Sequence, residues 1–281
     1  MNYTKINIQA TEVADRELWL GILSQQEAII GLEELDREGI IAYTANWGSV
    51  QEAIEHWSRQ TNVPFVLSEE AEQNWNATWE SNFEPVVIEG FCSVRADFHA
   101  PIAGVQYDIR ITPKMSFGTG HHATTRLMMT QMKDLDFENK SVFDYGSGTG
   151  ILAILAEMLG ATQVDAVDID EWSYENGLEN VTTNQCRHIT VAQGDINWVK
   201  PGTKYDIILA NINRHILLES MAQLNNLLHT DGQLLLSGIL KLQDTNIIVE
   251  KAKSCGFEAL RQTEDNGWTA ILFKKVNGSI C

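Results

Sequence analysis

Metal and disulfide chemistry have little to work with in this chain of 281 residues. Its four cysteines are Cys92, Cys186, Cys255 and Cys281, and no two stand at a C-x-x-C spacing. That leaves out a zinc knuckle and a dithiol redox motif. Cys186 and Cys255 are read as ordinary buried or half-buried thiols, and free thiols in a chain this size fit a reducing cytosol. His121-His122 has no third ligand at a zinc-like spacing, so the pair is read as loop packing and no metal is expected. Basic charge is scarce: 20 Lys and Arg face 38 Asp and Glu, for a net charge of -18. That average field repels a phosphate backbone, so direct binding of nucleic acid is not expected, whereas a lysine-rich protein would be attracted. Long apolar runs are missing as well. GILAILAEMLG (150–160) falls far below the roughly 18 residues of a membrane span, so no membrane partner is expected. The opening MNYTKINIQATEVADRELW has no basic segment followed by an apolar core, so no secretory signal is expected and the protein is placed in the cytoplasm. Oligomeric state has no signature in the chain, and a monomer is the expectation. There is no internal repeat and no low-complexity stretch.

What is present is ordinary for a globular protein: 44% hydrophobic and 21% charged residues. At roughly 150 residues per domain the length suggests about two domains. In residues 1–70, TKINIQ (4–9) alternates like a strand and Thr11 to Gln25 has helical spacing. IIGLEEL (29–35) and GIIAYTA (39–45) read as strands, Ser49 with Glu52 as a capping box opening a second helix, and VPFVLSE (63–69) as a last strand. The order β-α-β-β-α-β is the ferredoxin-like signature. Residues 71–98 read as a helical linker, with Trp75 and Trp79 on one face, followed by an entry strand. Residues 99–281 read as the main domain. From about residue 140 strands and helices alternate, ending in two strands joined around Asp265–Gly267. Repeated βαβ units imply a doubly wound, mostly parallel sheet, whose ligands sit outside the carboxyl ends of its strands.

The chemistry-bearing motifs fall at such ends. DYGSGTG (144–150) follows a strand and opens a helix, and Asp168 ends the next strand, 22 residues after Gly146. Glycines admit positive φ and close approach of a ligand to the backbone. A carboxylate at that strand end can accept hydrogen bonds from both ribose hydroxyls. The competing reading is a tight turn beside a solvated acid, but both features stand in the right context at once. The dinucleotide fingerprint needs G-x-G-x-x-G, whereas here the spacing is G-x-G-x-G with Ile151 in the last glycine's place, and Asp144 suits a pyrophosphate poorly. A nicotinamide-dependent dehydrogenase is therefore disfavoured. S-adenosyl-L-methionine carries a sulfonium and no phosphate, so the acid is acceptable to it. Asp195, after the third strand, would stand near the adenine, or simply cap a turn.

Four segments resemble the PrmA-type family of methyltransferases that modify ribosomal protein L11. NWNATWESNFEPV (74–86) is similar to its Trp-x-x-x-Trp…Asn-Phe-x-Pro linker, and FGTGHHATT (117–125) to its F-G-T-G-x-H-x-T-T loop. DYGSGTGILAI (144–154) with VDID (167–170), and LANIN (209–213), complete the match. The resemblance implies a class I methyltransferase-like seven-stranded sheet, preceded by a small domain that docks the ribosomal substrate. It implies that Thr125, Gly146, Gly148, Asp168 and Asn211 contact S-adenosyl-L-methionine, and that Phe117 to Thr119 cover donor and amine. Lys114-Met115-Ser116, Ala123 and Asn213-Arg214 depart from the family's usual residues.

Methyl transfer to an amine is an in-line displacement, so positioning dominates and no dedicated base is assigned. Asn211 is the candidate to orient the amine through its carbonyl oxygen. Asn211-Ile-Asn213-Arg214 lacks the N-P-P-Y/F pattern of enzymes that act on planar amino groups, so an sp³ amine fits better. The expected activity is methylation of lysine side-chain and N-terminal α-amines, with another protein or a small-molecule amine as the alternative acceptor. A non-catalytic module that kept the cofactor pocket stays open at this level.

Overall fold

Ile6 and Ile8 of β1 (Tyr3–Ile8) alternate with polar residues and share a core with Ile40 and Ala42 of β3 (Gly39–Thr44). Trp19 and Leu23 of α1 (Val13–Ser24) and Val50 and Ile54 of α2 (Trp47–Thr61) fill the same core. With β2 (Ile29–Leu35) and β4 (Phe65–Glu70) the strands form an antiparallel sheet in the order β2-β3-β1-β4, the ferredoxin-like arrangement. This computed structural model describes residues 3–24, 26, 28–35, 39–70, 84–112 and 118–276. The Ser49–Glu52 capping box is not where α2 starts. Asn46 is the N-cap, without a side-chain cap bond, and Trp47 packs on Phe65 with ring centroids 5.8 Å apart. Burial of an aromatic ring outweighs a cap. The helix expected around Trp75 and Trp79 lies outside the described residues. The chain divides into two compact units, residues 1–83 and 84–281.

The second unit carries two sheets. The segments expected as strands at 86–98 and 105–112 yield β5 (Val86–Ile88), β6 (Cys92–Arg95) and β7 (Tyr107–Arg110), which pair among themselves as a three-stranded sheet. The larger sheet has seven strands in the order β10-β9-β8-β11-β12-β14-β13. These are β8 (Ser141–Tyr145), β9 (Gln163–Asp168), β10 (Ile189–Gln193), β11 (Tyr205–Asn211), β12 (Leu228–Leu240), β13 (Phe257–Asp265) and β14 (Trp268–Lys275). Parallel pairing runs from β10 to β12, and β14 is antiparallel to both neighbours. Helices α3 (Ala123–Met132), α4 (Ile151–Met158), α5 (Glu171–Thr183), α6 (Arg214–Leu227) and α7 (Thr245–Ser254) connect or flank the strands. Buried runs such as Ile207–Ala210 are apolar without alternation, as expected of strands covered on both faces. Asn266 and Gly267 both have positive φ, 47° and 80°, and close the β13–β14 hairpin in two residues.

Two side-chain devices tie the core together. Phe143 stacks on Tyr205 at 5.2 Å and on Tyr145 at 5.8 Å, a line of rings from the carboxyl end of β8 to the amino end of β11. Asn176, Asn180 and Asn184 recur at four-residue steps along α5 and bond the backbone of Arg110 and Thr112, Asn180 Oδ1 accepting from Thr112 N at 2.7 Å. Of the cysteines, Cys92 and Cys186 are free thiols. Burial pushes both thiols up to about 12, which makes them inert at neutral pH. Cys255 corrects the expectation of a free thiol: it is disulfide-bonded. Spacing along the chain does not report which cysteines approach in space.

Tyr205 Oη donates to Asp165 Oδ2 at 2.8 Å inside this core. Tyr205→Phe removes the donor and leaves a buried carboxylate oxygen underbonded. The expected loss is about 1–3 kcal/mol in urea unfolding. An unchanged midpoint would show that the bond contributes nothing.

Candidate active site

The carboxyl ends of five parallel strands stand in one row. Register pairs Gln193 with Asp168, Tyr145 with Val167 and with Ala210, Asn211 with Ser237, and Leu240 with Trp268. Asp168 on β9 and Trp268 on β14 are thus four strand steps apart, about 19 Å. Between them lies a cavity of about 440 Å³. Its lining runs from Gly194, Asp195 and Asp168, past Gly146 and Gly148, to Asn211, Ile212, Gly238, His122 and Trp268. Such a volume suits a small organic ligand.

The glycine turn is closed from within. Gly146 N and Ser147 N donate to Val167 O at 2.8 and 3.1 Å, and Gly150 N to Ser147 O at 2.8 Å. Gly148 N donates to Asp168 Oδ2 at 2.8 Å, and Asp170 N to Asp168 Oδ1 at 3.0 Å. A phosphate-binding turn offers its amides to the ligand; here four of them are already engaged. The turn fits a ligand without phosphate. Asp168 keeps a further lone pair on each oxygen, enough for two hydroxyl donors. Glycine is required at two places. Gly146 has φ 75°, and a Cβ there would stand 2.2 Å from Ile212 Cγ2. Gly238 has φ 87°, and its Cβ would meet Ile212 O at 2.2 Å.

Asn211 ends β11. Its Nδ2 donates to Thr125 Oγ1 at 3.4 Å, and its Oδ1 is buried with no hydrogen-bond partner. Asn211 is in the cavity lining, and an orphaned amide oxygen is an available acceptor for an N–H. Thr125 itself is buried and stands behind Asn211, not in the lining. Asp195 is in the lining, though Asn197 N and Nδ2 already donate to its carboxylate at 2.9 and 3.1 Å. Thr119 is not in the lining; its Oγ1 meets His121 Nδ1 at 3.1 Å. Phe117 lies outside the described residues, as does Lys114-Met115-Ser116.

The two histidines part company. His121 Nε2 bonds Glu84 O at 2.8 Å, while His122 turns to the cavity and caps α3, Nδ1 accepting from Thr124 N. Burial, with the Arg126 charge beside it, holds His122 below its ordinary pKa and so neutral. Its ring packs against Trp268 at 4.8 Å and 69°. Of the departures from the family pattern, Ala123 is the first residue of α3, a place where proline is equally tolerated. Arg214 is held by the buried Asp244 at 2.6 Å. Sequence reasoning missed Trp268, Gly238 and the orientation of His122. A lone glycine inside the apolar run QLLLSGIL was the one available signal.

Asp144 is next to last in β8, beneath the turn. Its Oδ2 accepts from Ala153 N at 3.1 Å, and Oδ1 is buried without a partner. Burial, opposed by the Ala153 bond and reinforced by the Asp168 charge, pushes its carboxyl from 3.8 to about 7. Between those values the folded state holds a proton that the unfolded chain releases, so stability falls as pH rises across that window. Asp144→Asn should therefore gain Tm relative to the unsubstituted protein between pH 4.5 and 7.5. An equal difference at both pH values would contradict the shift.

Comparison with known proteins agrees with this geometry. The family model described as ribosomal protein L11 methyltransferase (PrmA) matches residues 5–276. A ribosomal protein L11 methyltransferase of Phocaeicola vulgatus is 41% identical over 214 residues, 76% of each chain. That of Porphyromonas gingivalis is 39% identical over 260 residues, 90% of this chain and 89% of the relative. Among solved structures, the ribosomal protein L11 methylase of Lactobacillus delbrueckii subsp. bulgaricus superposes with a TM-score of 0.63 at 29% identity, over 69% of this chain and 99% of that one. The cofactor is S-adenosyl-L-methionine, and a turn closed on itself beside a carboxylate with spare lone pairs fits it. The chain belongs to the ribosomal protein L11 methyltransferase (PrmA) family.

Proposed function

We propose that this chain methylates lysine side-chain and N-terminal α-amines of ribosomal protein L11 in the cytoplasm, using S-adenosyl-L-methionine. The observation that carries the reading is the row along the sheet edge: a ribose acid at β9, a closed glycine turn at β8, and an orphaned amide oxygen at β11. Asp168 holds the ribose, Asp195 stands by the adenine, and Gly146 and Gly148 let the donor lie against the turn. S-adenosyl-L-methionine, when bound, would supply an electrophilic methyl group to the amine lone pair, its C–S electrons remaining on sulfur and the ammonium proton passing to water. Asn211 Oδ1 accepts an N–H of the neutral amine and aims its lone pair, and Thr125 fixes the Asn211 amide. Residues 1–70 form the substrate-docking part that the family resemblance implies, and an acidic chain of net charge -18 suits a lysine-bearing partner.

Incubation with S-adenosyl-L-methionine and recombinant L11 should add methyl-sized mass increments to L11 amines. No incorporation, with S-adenosylhomocysteine bound normally, would refute the acceptor. Two substitutions separate binding from transfer. Asp168→Ala removes charge-assisted hydrogen bonds worth about 1.5–3 kcal/mol each. It should weaken S-adenosylhomocysteine binding in calorimetry by about a hundredfold. Asn211→Ala should leave that binding within a few-fold and lower kcat by about 10²–10³. The reverse pattern would exchange the two roles.

A further inference from the structure

Trp268 is a residue that neither composition nor motif marks, yet it closes the cavity at the end opposite Asp168. With the ribose at β9 and the glycine turn at β8, the donor occupies the near half of the row. The methyl acceptor then meets Asn211 from the side of β12 and β14. We propose that Trp268 is the acceptor-specificity residue: its indole receives the methylene stem of an aliphatic amine and the alkylated ammonium that transfer produces. The proposal rests on the methyltransferase reading above and names the chemistry of its acceptor end.

The walls at that end explain why an aromatic ring is suited there. Ile212, Gly238, Asn213 and His122 carry no negative charge, and the carboxylates in the lining, Asp168 and Asp195, belong to β9 and the turn after β10. The lining at this end therefore offers an alkylated ammonium no carboxylate, and Asp265, across the hairpin from Trp268, is already paired with Arg126. The face of an indole attracts such a cation without needing an N–H from it, and tryptophan does so best among the aromatic side chains. Asn211 Oδ1 serves a different state, an amine that still has a hydrogen to donate. The two residues divide the work between the attacking amine and the charged product. A carboxylate in the place of Trp268 would hold the ammonium more strongly, but would also hold its proton, which opposes the next attack.

The ring is held in a defined place. Trp268 starts β14 directly after the Asn266-Gly267 turn, opposite Asp265 and Leu240. Asp265 is bound to Arg126 of α3 at 2.7 Å, and Gln131 of the same helix donates to Thr263 Oγ1 and Ala270 O at 3.0 and 2.9 Å. The hairpin is thereby fastened to the helix that His122 caps. A merely structural tryptophan would share these attachments, so the test must vary the ring's electronics at constant shape.

Tryptophan at position 268 is replaced, by site-specific incorporation, with analogues carrying successively more fluorine, alongside Trp268→Phe and Trp268→Ala. With recombinant L11 as acceptor, KM should rise stepwise with fluorine content. Trp268→Phe should retain most activity, and Trp268→Ala should raise KM about tenfold, all with S-adenosylhomocysteine affinity within twofold. A flat KM across the fluorinated series, or an effect confined to S-adenosylhomocysteine affinity, would overturn the proposal. A second arm does not depend on the acceptor's identity. Tetramethylammonium titrated into the S-adenosylhomocysteine complex should shift the fluorine resonance at position 268 in a saturable way, and no shift would overturn the proposal even if L11 proves to be the wrong substrate. Failure of the function reading shows instead as an unsubstituted protein that leaves L11 unmodified while the resonance still responds.

Discussion

The bond from Gly148 N to Asp168 Oδ2, 2.8 Å long, sets the shape of the site. It ties the turn after β8 to the end of β9, and the carbonyl of Val167 takes two further amides of the same turn. The turn cannot then serve as an anion nest, because its donors face inward. What it presents to the cavity is glycine backbone and space, beside a carboxylate with lone pairs to spare. Asp144 below gives one oxygen to Ala153 N in the first turn of α4. Burial raises its proton affinity, so the second acid adds little charge beneath a sulfonium-bearing ligand at slightly acid pH. One hydrogen bond thus links the choice of ligand class to the packing of two strands.

The features legible in the chain are those whose partners lie close in sequence. Gly146 and Asp168 belong to consecutive βαβ elements, so their spacing alone suggests their meeting. The alternation of strands and helices after residue 140 is likewise local. Trp268 and Gly238 were not legible in this way. Their place depends on the register of β12 against β14, and a one-residue slip would turn every side chain to the other face. The role of Thr125 depends on α3 lying over β11, across 86 residues of chain. The start of α2 was misjudged because a local cap signal at Ser49 competes with burial of Trp47, and burial is the larger quantity. Asn176, Asn180 and Asn184 went unread for the same reason: their use in holding the backbone at 110–112 requires the neighbouring strand.

The cavity is chemically asymmetric along the sheet edge. Its β9 and β10 end is acidic and studded with hydrogen-bond acceptors suited to a nucleoside. Its β11 to β14 end is lined by uncharged residues, among them Ile212, Ile216 and Trp268, with one unsatisfied amide oxygen. The asymmetry follows from topology. β8 and β11 are adjacent in the sheet, but the chain leaves them toward opposite edges, so two different loop systems meet over one switch point. Donor and acceptor halves can therefore be built from separate segments, and substitutions such as Arg214 can alter one without touching the other.

The neutrality of the acceptor half also bears on the proton. An amine must lose its proton before it can attack, which at pH 7 costs about 4.6 kcal/mol for an ordinary lysine and about 1 kcal/mol for an α-amine. A carboxylate beside the nitrogen would add to that cost by stabilising the ammonium. Desolvation between Ile212, Gly238 and Trp268, with His122 uncharged, acts in the opposite direction. Asn211 Oδ1 accepts a hydrogen bond without taking the proton. On the proposed function, such a site would lower the cost of the neutral amine by withholding charge, with no general base and for either kind of amine.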